Sequence, residues 1–343
     1  MREGEPGLAT LRGSAFRGAH MSWGFFRHRL EELGCRFLAW TIPKLSRKSC
    51  VSLARAVGAL AYCLERRGRR VALANLECAF GDRFSEKQRR VIARASYQNF
   101  ARTMLDLFWA PVLTADNVDD YIPFEGIEML KERHARNPGG SICLCPHFGN
   151  WEWSSLAAGF HGFHATIVTE TFRNPRLAPV FNELRQSSGQ RIIPQENSLL
   201  RFFKTVKRGG AVAMLPDLTL PPTQAATVIE AFGLKMCVSR VHALLIKRAG
   251  ALAFPVQSDP RPDGRCLVRI HPPLQFAPDA TTQQITQECW DAIEPWIRAR
   301  PECWLWPYKF FRYKPGKADR AYPFYANESA KFEKLLAQQE ARE

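Results

Sequence analysis

The sequence predicts an α/β fold: a mainly parallel central sheet flanked by helices, preceded by an N-terminal amphipathic helical segment. Three observations lead there. After Pro138-Gly139-Gly140, short apolar runs alternate with stretches of helical spacing, as βα units do when their strands are covered on both faces. Before residue 120, apolar residues recur at helical intervals with Lys and Arg between them. The 343 residues are 46% hydrophobic and 24% charged, enough for a substantial core.

Taken in order, residues 1–20 are polar and basic with no apolar core, so they are not a secretory signal. A more regular pattern starts at Met21, and residues 1–22 are expected to be disordered or a misassigned start. From Trp23 to Leu64, Trp23, Phe25, Phe26, Phe37 and Trp40 are interleaved with Arg27, Arg29, Arg36, Lys44, Arg47 and Lys48. Such a helix can lie among lipid headgroups with its cations on anionic lipid; the plain alternative is two packing helices with a solvated basic face. The longest apolar run, Ala56 to Leu64, falls well short of the roughly 18 residues of a spanning helix. Arg66-Arg67-Gly68-Arg69-Arg70 suits phosphates, acidic headgroups or plain solvent.

Ser85 and Gln88 have capping-box spacing and open a helix that runs on through Asn99 to Trp109, ended by Pro111 and the polar stretch 114–120. Beyond Gly140, candidate strands are 141–145, 165–169, 191–193, 211–215, 251–256 and 266–270. Candidate helices are 152–159, 177–187, 198–208, 239–249 and 284–299. The expected organisation is a helical membrane-associating segment at 23–120, an α/β domain at 121–320 and a tail at 321–343.

The net charge of +15, from 48 Lys and Arg against 33 Asp and Glu, calls for an anionic partner. Nucleic acid, an anionic membrane and a phosphorylated substrate all satisfy that, but no nucleic-acid-binding motif is present. Of the 10 cysteines only Cys143 and Cys145 lie close together, without the spacing of a zinc knuckle. They read as small core residues in a reducing compartment, with neither a metal site nor a disulfide framework.

The chemistry concentrates in Pro146-His147-Phe148-Gly149-Asn150-Trp151-Glu152-Trp153, directly after the apolar run Ser141–Cys145. His147 stands where a strand ends and a turn begins, with Glu152 just inside the next helix. A histidine steadied by a carboxylate at the mouth of a sheet is suited to general base catalysis. On this reading Glu152 fixes the ring, while Asn150 and the N–H groups near Gly149 face a developing oxyanion. The spacing alone carries little, since about one chance match is expected among eight histidines; the strand, the turn and the flanking tryptophans carry more. A capping histidine beside a solvated carboxylate is the plain alternative. No Ser or Cys adjoins His147 as a nucleophile, which favours direct attack by a bound hydroxyl, and no cofactor is required.

That motif resembles the first signature of the lipid A late (secondary) acyltransferases, within the wider group of His-x4-Asp/Glu lipid acyltransferases. The resemblance extends over about residues 25–315, through Asn75-Leu76 and Ala79-Phe80, Phe172-Arg173-Asn174-Pro175, Leu184-Arg185 and Gly189, Pro216-Asp217, Phe232-Gly233 and Trp304-Leu305-Trp306. It implies a glycerolipid acyltransferase-like fold. It also implies transfer of a fatty acyl chain from an acyl carrier protein or coenzyme A thioester to a hydroxyl of a lipid A precursor or related glycolipid, at the cytoplasmic face of a bacterial inner membrane. His147 and Glu152 would be catalytic. Gly149, Asn150, Arg173, Arg185, Asp217, Phe232 and Gly233 would contact substrate, the arginines holding phosphate oxygens.

By position alone, Asp217 could instead cap a loop or hold Arg185, Phe232-Gly233 could be loop packing, and Trp304 and Trp306 read as anchors of the C-terminal segment. Phe172, Leu218 and Ala231 stand where the family usually has a tyrosine, a polar residue and an aromatic. Those departures bear on the acceptor, for which a glycerophospholipid is the second reading and a non-enzymatic basic membrane-surface role the third. Oligomeric state has no signature in the sequence.

Overall fold

The computed structural model describes residues 23–169, 172–223 and 225–341. The expected disordered or misassigned start at 1–22 lies outside them. The N-terminal segment is helical: α1 (Trp23–Thr41), α2 (Arg47–Leu64), α3 (Arg66–Phe80), α4 (Glu86–Trp109) and the short α5 (Val118–Tyr121). The Ser85–Gln88 capping box forms, each side chain bonded to the other's backbone N–H. The α/β part then runs β1 (Phe124–Glu125), α6 (Ile127–Arg136), β2 (Ser141–Leu144), α7 (Trp151–Phe160), β3 (Ala165–Thr169), α8 (Leu177–Gln186), β4 (Arg191–Pro194), α9 (Ser198–Lys207) and β5 (Ala211–Met214). It continues with β6 (Ala226–Ala231), β7 (Leu234–Ser239), α10 (Val241–Ala249), β8 (Leu252–Pro260), β9 (Cys266–Ile270), α11 (Thr282–Asp291), α12 (Glu294–Ala299) and α13 (Ala330–Glu340).

Seven strands form the central sheet in the order β1-β9-β8-β2-β5-β3-β4. The five from β8 to β4 are mutually parallel, and β9 joins β8 antiparallel. β2 therefore lies at the centre with β5 and β8 on either side, and all four of its residues are buried. Its alternate side chains feed two cores. Ile142 and Leu144 pack with Trp304, Trp306 and Phe310, whereas Cys143 and Cys145 pack with Trp153, Leu107 and Phe108. The division between two cores follows from the strand's period of two, which sends successive side chains to opposite faces.

The structure corrects the element reading in four places. The helix expected at 239–249 starts at Val241, because Ser239 still pairs with Ala226 in the β6–β7 hairpin. That expected at 284–299 is two helices, broken where Pro295 enters the first turn of α12 and removes an N–H that a continuous helix would need. The hairpin itself was not anticipated. Its two-residue turn is Phe232-Gly233, both with positive φ (54° and 77°), as a two-residue hairpin turn of the primed type demands. The stretch after 321 is more than a tail: Phe332 of α13 is fully buried, and the Gln339 amide bonds both the N–H and the carbonyl of Val228 on the edge of β6.

Candidate active site

The parallel register of β2 and β5 places the site. Leu144 pairs with Met214, so the residues three positions beyond each, His147 and Asp217, leave the sheet side by side at its carboxyl edge, where ligands of open α/β sheets collect. Asp217 is completely buried. One carboxylate oxygen accepts from His147 Nδ1 (2.9 Å); the other accepts from the His147 backbone N–H (2.8 Å) and from Trp304 Nε1 (2.8 Å). Burial raises the Asp217 pKa, but the His147 charge and the hydrogen bonds from His147 and Trp304 outweigh it and hold the carboxyl below its usual range. An ionised carboxylate can only accept, so Nδ1 carries the proton. Nε2 is left as the basic nitrogen, with no hydrogen-bond partner among the described residues and the ring edge reaching solvent.

Glu152 does not steady the ring, contrary to the sequence expectation. Both of its oxygens are taken by Arg185, whose Nε lies at 2.9 and 3.2 Å and Nη2 at 2.6 Å. The reason is local geometry. The chain turns sharply at Gly149 (φ 64°), and Asn150 caps α7 by accepting from Trp153 N (3.0 Å), so Glu152 falls in the helix's first turn facing α8. There it meets Arg185 in the last turn of α8. An acid at a helix N-terminus and a base at a C-terminus each oppose the adjoining helix dipole favourably. Burial works against the Arg185 charge, but Glu152 more than compensates and raises its pKa. Arg185 is therefore committed within the protein rather than presented to a phosphate.

The oxyanion expectation is corrected likewise. The Gly149 N–H donates to the Cys303 carbonyl (2.9 Å), the Asn150 N–H to Ser258 Oγ (2.9 Å) and the Asn150 amide to Asp106 (2.8 Å). These groups build the turn; they do not face a ligand. Gly149 is obligatory because a β-carbon would overlap the Ser258 carbonyl. α4 supports the same turn, Asn99 Nδ2 (3.1 Å) and Thr103 Oγ1 (3.0 Å) both donating to the Gly149 carbonyl. Asp106, buried between Arg47 of α2 and Arg102, links the N-terminal helices to the cap of α7.

Phe232 and Gly233 are likewise not at a substrate groove. The Phe232 ring lies in the aromatic core, 5.6 Å from Trp304, 5.8 Å from Trp306 and 5.9 Å from Trp290. Gly233 is covered by Arg320, which donates to the Phe232 carbonyl. Trp306 anchors the C-terminal segment as expected, and Trp304 does more, since it holds Asp217. Arg173 is exposed on the loop after β3, with no ion pair or hydrogen bond among the described residues. That loop is pinned to α1 by the Asn174 amide, which donates to the His28 carbonyl and to Glu31 (2.9 Å each). Among the described residues, no group of His, Cys, Asp and Glu is arranged to hold a metal ion.

Sequence reasoning missed Asn99, Thr103, Asp106, Ser258 and the role of Trp304. Each acts across more than 40 positions of sequence, and no local pattern advertises it.

A buried carboxylate holding one imidazole nitrogen, with the other open at the carboxyl edge of a parallel sheet, is an arrangement suited to taking the proton from a hydroxyl or similar group. Comparison with known families narrows this. The family described as bacterial lipid A biosynthesis acyltransferase matches residues 31–313, and the chain belongs to that family. It is an O-acyltransferase, of the class that acts in lipid A biosynthesis. It is 24% identical over 295 residues to a lipid A biosynthesis myristoyltransferase of Escherichia coli (82% of this chain, 85% of the relative). It is 22% identical over 307 residues to a lipid A biosynthesis acyltransferase of Haemophilus influenzae (88% and 94%). With a lipid A biosynthesis lauroyltransferase of Escherichia coli it shares 21% over 291 residues (84% and 93%).

Proposed function

We propose that the protein transfers a fatty acyl chain from an acyl thioester, carried by acyl carrier protein or coenzyme A, to a hydroxyl of a lipid A precursor or a closely related glycolipid. The Asp217–His147 pair carries this reading: it leaves one nitrogen, Nε2, basic and facing outward. In the reaction, Nε2 takes the acceptor's hydroxyl proton as the oxygen attacks the thioester carbonyl. Asp217 keeps the proton on Nδ1 and stabilises the imidazolium that forms. The tetrahedral intermediate collapses to the ester, the C–S bond breaks, and the thiolate recovers the proton from the imidazolium. Asp217 is a positioning residue, and the Glu152–Arg185 pair positions α7. Arg173, exposed and basic at the same edge of the sheet, is suited to an acceptor phosphate.

The acceptor is a membrane lipid, and α1 suits a peripheral approach to it. Trp23, Phe26, Leu30, Leu33, Phe37 and Trp40 are all exposed, at alternating intervals of three and four residues that align them on one face. No helix among the described residues is long and apolar enough to cross a membrane. An exposed apolar stripe flanked by Arg and Lys lies in the headgroup layer of an anionic bilayer, and we assign the protein to the cytoplasmic face of a bacterial inner membrane. The test is acyl transfer in detergent micelles from labelled acyl carrier protein or acyl coenzyme A to a panel of lipid acceptors, beside His147→Ala. Transfer to a lipid A precursor that falls by several orders of magnitude in the variant is the expected result. Transfer to glycerophospholipids alone would move the acceptor, and an active His147→Ala enzyme would overturn the mechanism.

A further inference from the structure

Two large aromatic residues, one against His147 and one behind it, are left over by this chemistry. Trp151, the first residue of α7, meets the His147 ring edge-on with centroids 5.0 Å apart, and Phe100 of α4 stacks on Trp151 at 6.2 Å and 28°. Trp151 is half-buried and Phe100 is 38% exposed. A row of apolar rings thus leads from the catalytic base out to the surface. α2 crosses α4 backbone against backbone, with Gly58 so close to Gln98 that no β-carbon would fit, and the Gln98 amide donates to the Arg55 carbonyl (3.0 Å). Two residues along α4 from that crossing is Phe100. On α2 itself Leu53, Val57, Leu60 and Leu64 are exposed in a single helical stripe. The helix that carries Phe100 is thus packed against one whose own exposed side is apolar.

We infer that Phe100 and Trp151 are specificity-determining residues: they form the path along which an acyl chain of the lipid acceptor lies while its hydroxyl reaches His147 Nε2. This rests on the lipid-acceptor reading above and deepens it. A hydroxyl on a polar, chain-free acceptor would gain nothing from exposed rings, and keeping them in water is unfavourable, whereas an acceptor still partly in the bilayer exchanges lipid contact for ring contact as it advances.

The experiment compares two acceptors that share a headgroup and differ only in chain length, one long and one short, with the full-length enzyme in detergent micelles. The readout is the ratio of their kcat/KM values. Phe100→Ala removes the outer ring and is expected to lower the long-chain preference about tenfold, through KM of the long-chain acceptor. Phe100→Leu, which keeps much of the apolar area, should hold the ratio within about twofold of the wild type. A ratio unchanged in Phe100→Ala, or both acceptors impaired by the same factor, would show that Phe100 only packs and would overturn the path. Failure of the wild-type enzyme to acylate either acceptor would instead bring down the underlying reading of the acceptor as a lipid.

Discussion

Replacing Asp217 by asparagine tests which carboxylate works with His147, and the structure gives the size of the effect. The carboxylate accepts three hydrogen bonds, two at one oxygen from the His147 backbone N–H and Trp304 Nε1, and one at the other from His147 Nδ1. An amide of the same shape has one oxygen and one NH2. With its oxygen toward Nδ1, the NH2 confronts two buried donors, and leaving those unsatisfied costs about 1–3 kcal/mol each. With its oxygen toward those donors, the NH2 faces Nδ1, which must give up its proton, and the base at Nε2 becomes a donor. The second arrangement wins by roughly 2–6 kcal/mol, and at about 1.4 kcal/mol per tenfold the competent tautomer falls to the order of one part in a thousand. The expected result is a fall in kcat of about a thousandfold with the fold retained, read by single-turnover acyl transfer and by thermal melting. The variant also reports on stability. Because the folded-state pKa of Asp217 is depressed, its contribution is present at neutral pH and is lost as pH falls below the ordinary carboxylate value through the depressed one. Wild type should thus outlast Asp217→Asn near neutrality and converge with it in acid. A loss of kcat under tenfold would refute the assignment of Asp217 as the partner of His147.

Three further outcomes follow from the same geometry. Glu152→Gln leaves Arg185 largely buried without its charge partner, so it should cost about 3–5 kcal/mol in chemical denaturation, with a smaller loss of kcat than Asp217→Asn. An unchanged midpoint together with an equal or larger kcat loss would return Glu152 to the chemistry. Arg173→Ala should raise KM for a phosphorylated acceptor roughly tenfold at nearly constant kcat, and the same change on a dephosphorylated acceptor would deny it a phosphate. Leu33→Glu with Phe37→Glu, both on the exposed face of α1, should weaken sedimentation with anionic vesicles more than tenfold; binding as tight as that of wild type would place the lipid contact elsewhere.

The sheet was legible from sequence because its strands are short apolar runs bounded by turn residues, and each of the six anticipated runs corresponds to a strand of the sheet. The Ser85–Gln88 box and the helices after β2, β3 and β4 were legible for the same reason: their signals are local. The β6–β7 hairpin was not. Its turn uses Phe232, a residue that rarely takes positive φ, and what holds it there is a cage of Trp290, Trp304 and Trp306 drawn from 50 and more residues downstream. α13 was missed because its apolar contacts are few. Phe332 alone is fully buried, and the Gln339 side chain does the work of a neighbouring strand at the edge of β6.

The two carboxylates near His147 show why the site was only half visible. Glu152 is near in sequence, but sequence distance across a turn does not set direction. Gly149 reverses the chain, the Asn150 cap fixes where α7 begins, and the first turn of a helix opening there aims position 152 at α8. Asp217 is 70 residues away, yet it stands at the same offset past its strand as His147 does past its own, and adjacent parallel strands in register bring equal offsets together. Only the strand order β8-β2-β5 makes that equality meaningful. Strand order is set by which crossover helices can cover which face, a property of the whole domain. The His-x4-Glu spacing is then explained without a charge relay along it. The histidine needs the turn, the turn needs a capped helix, and the helix start favours an acid that Arg185 can hold in place.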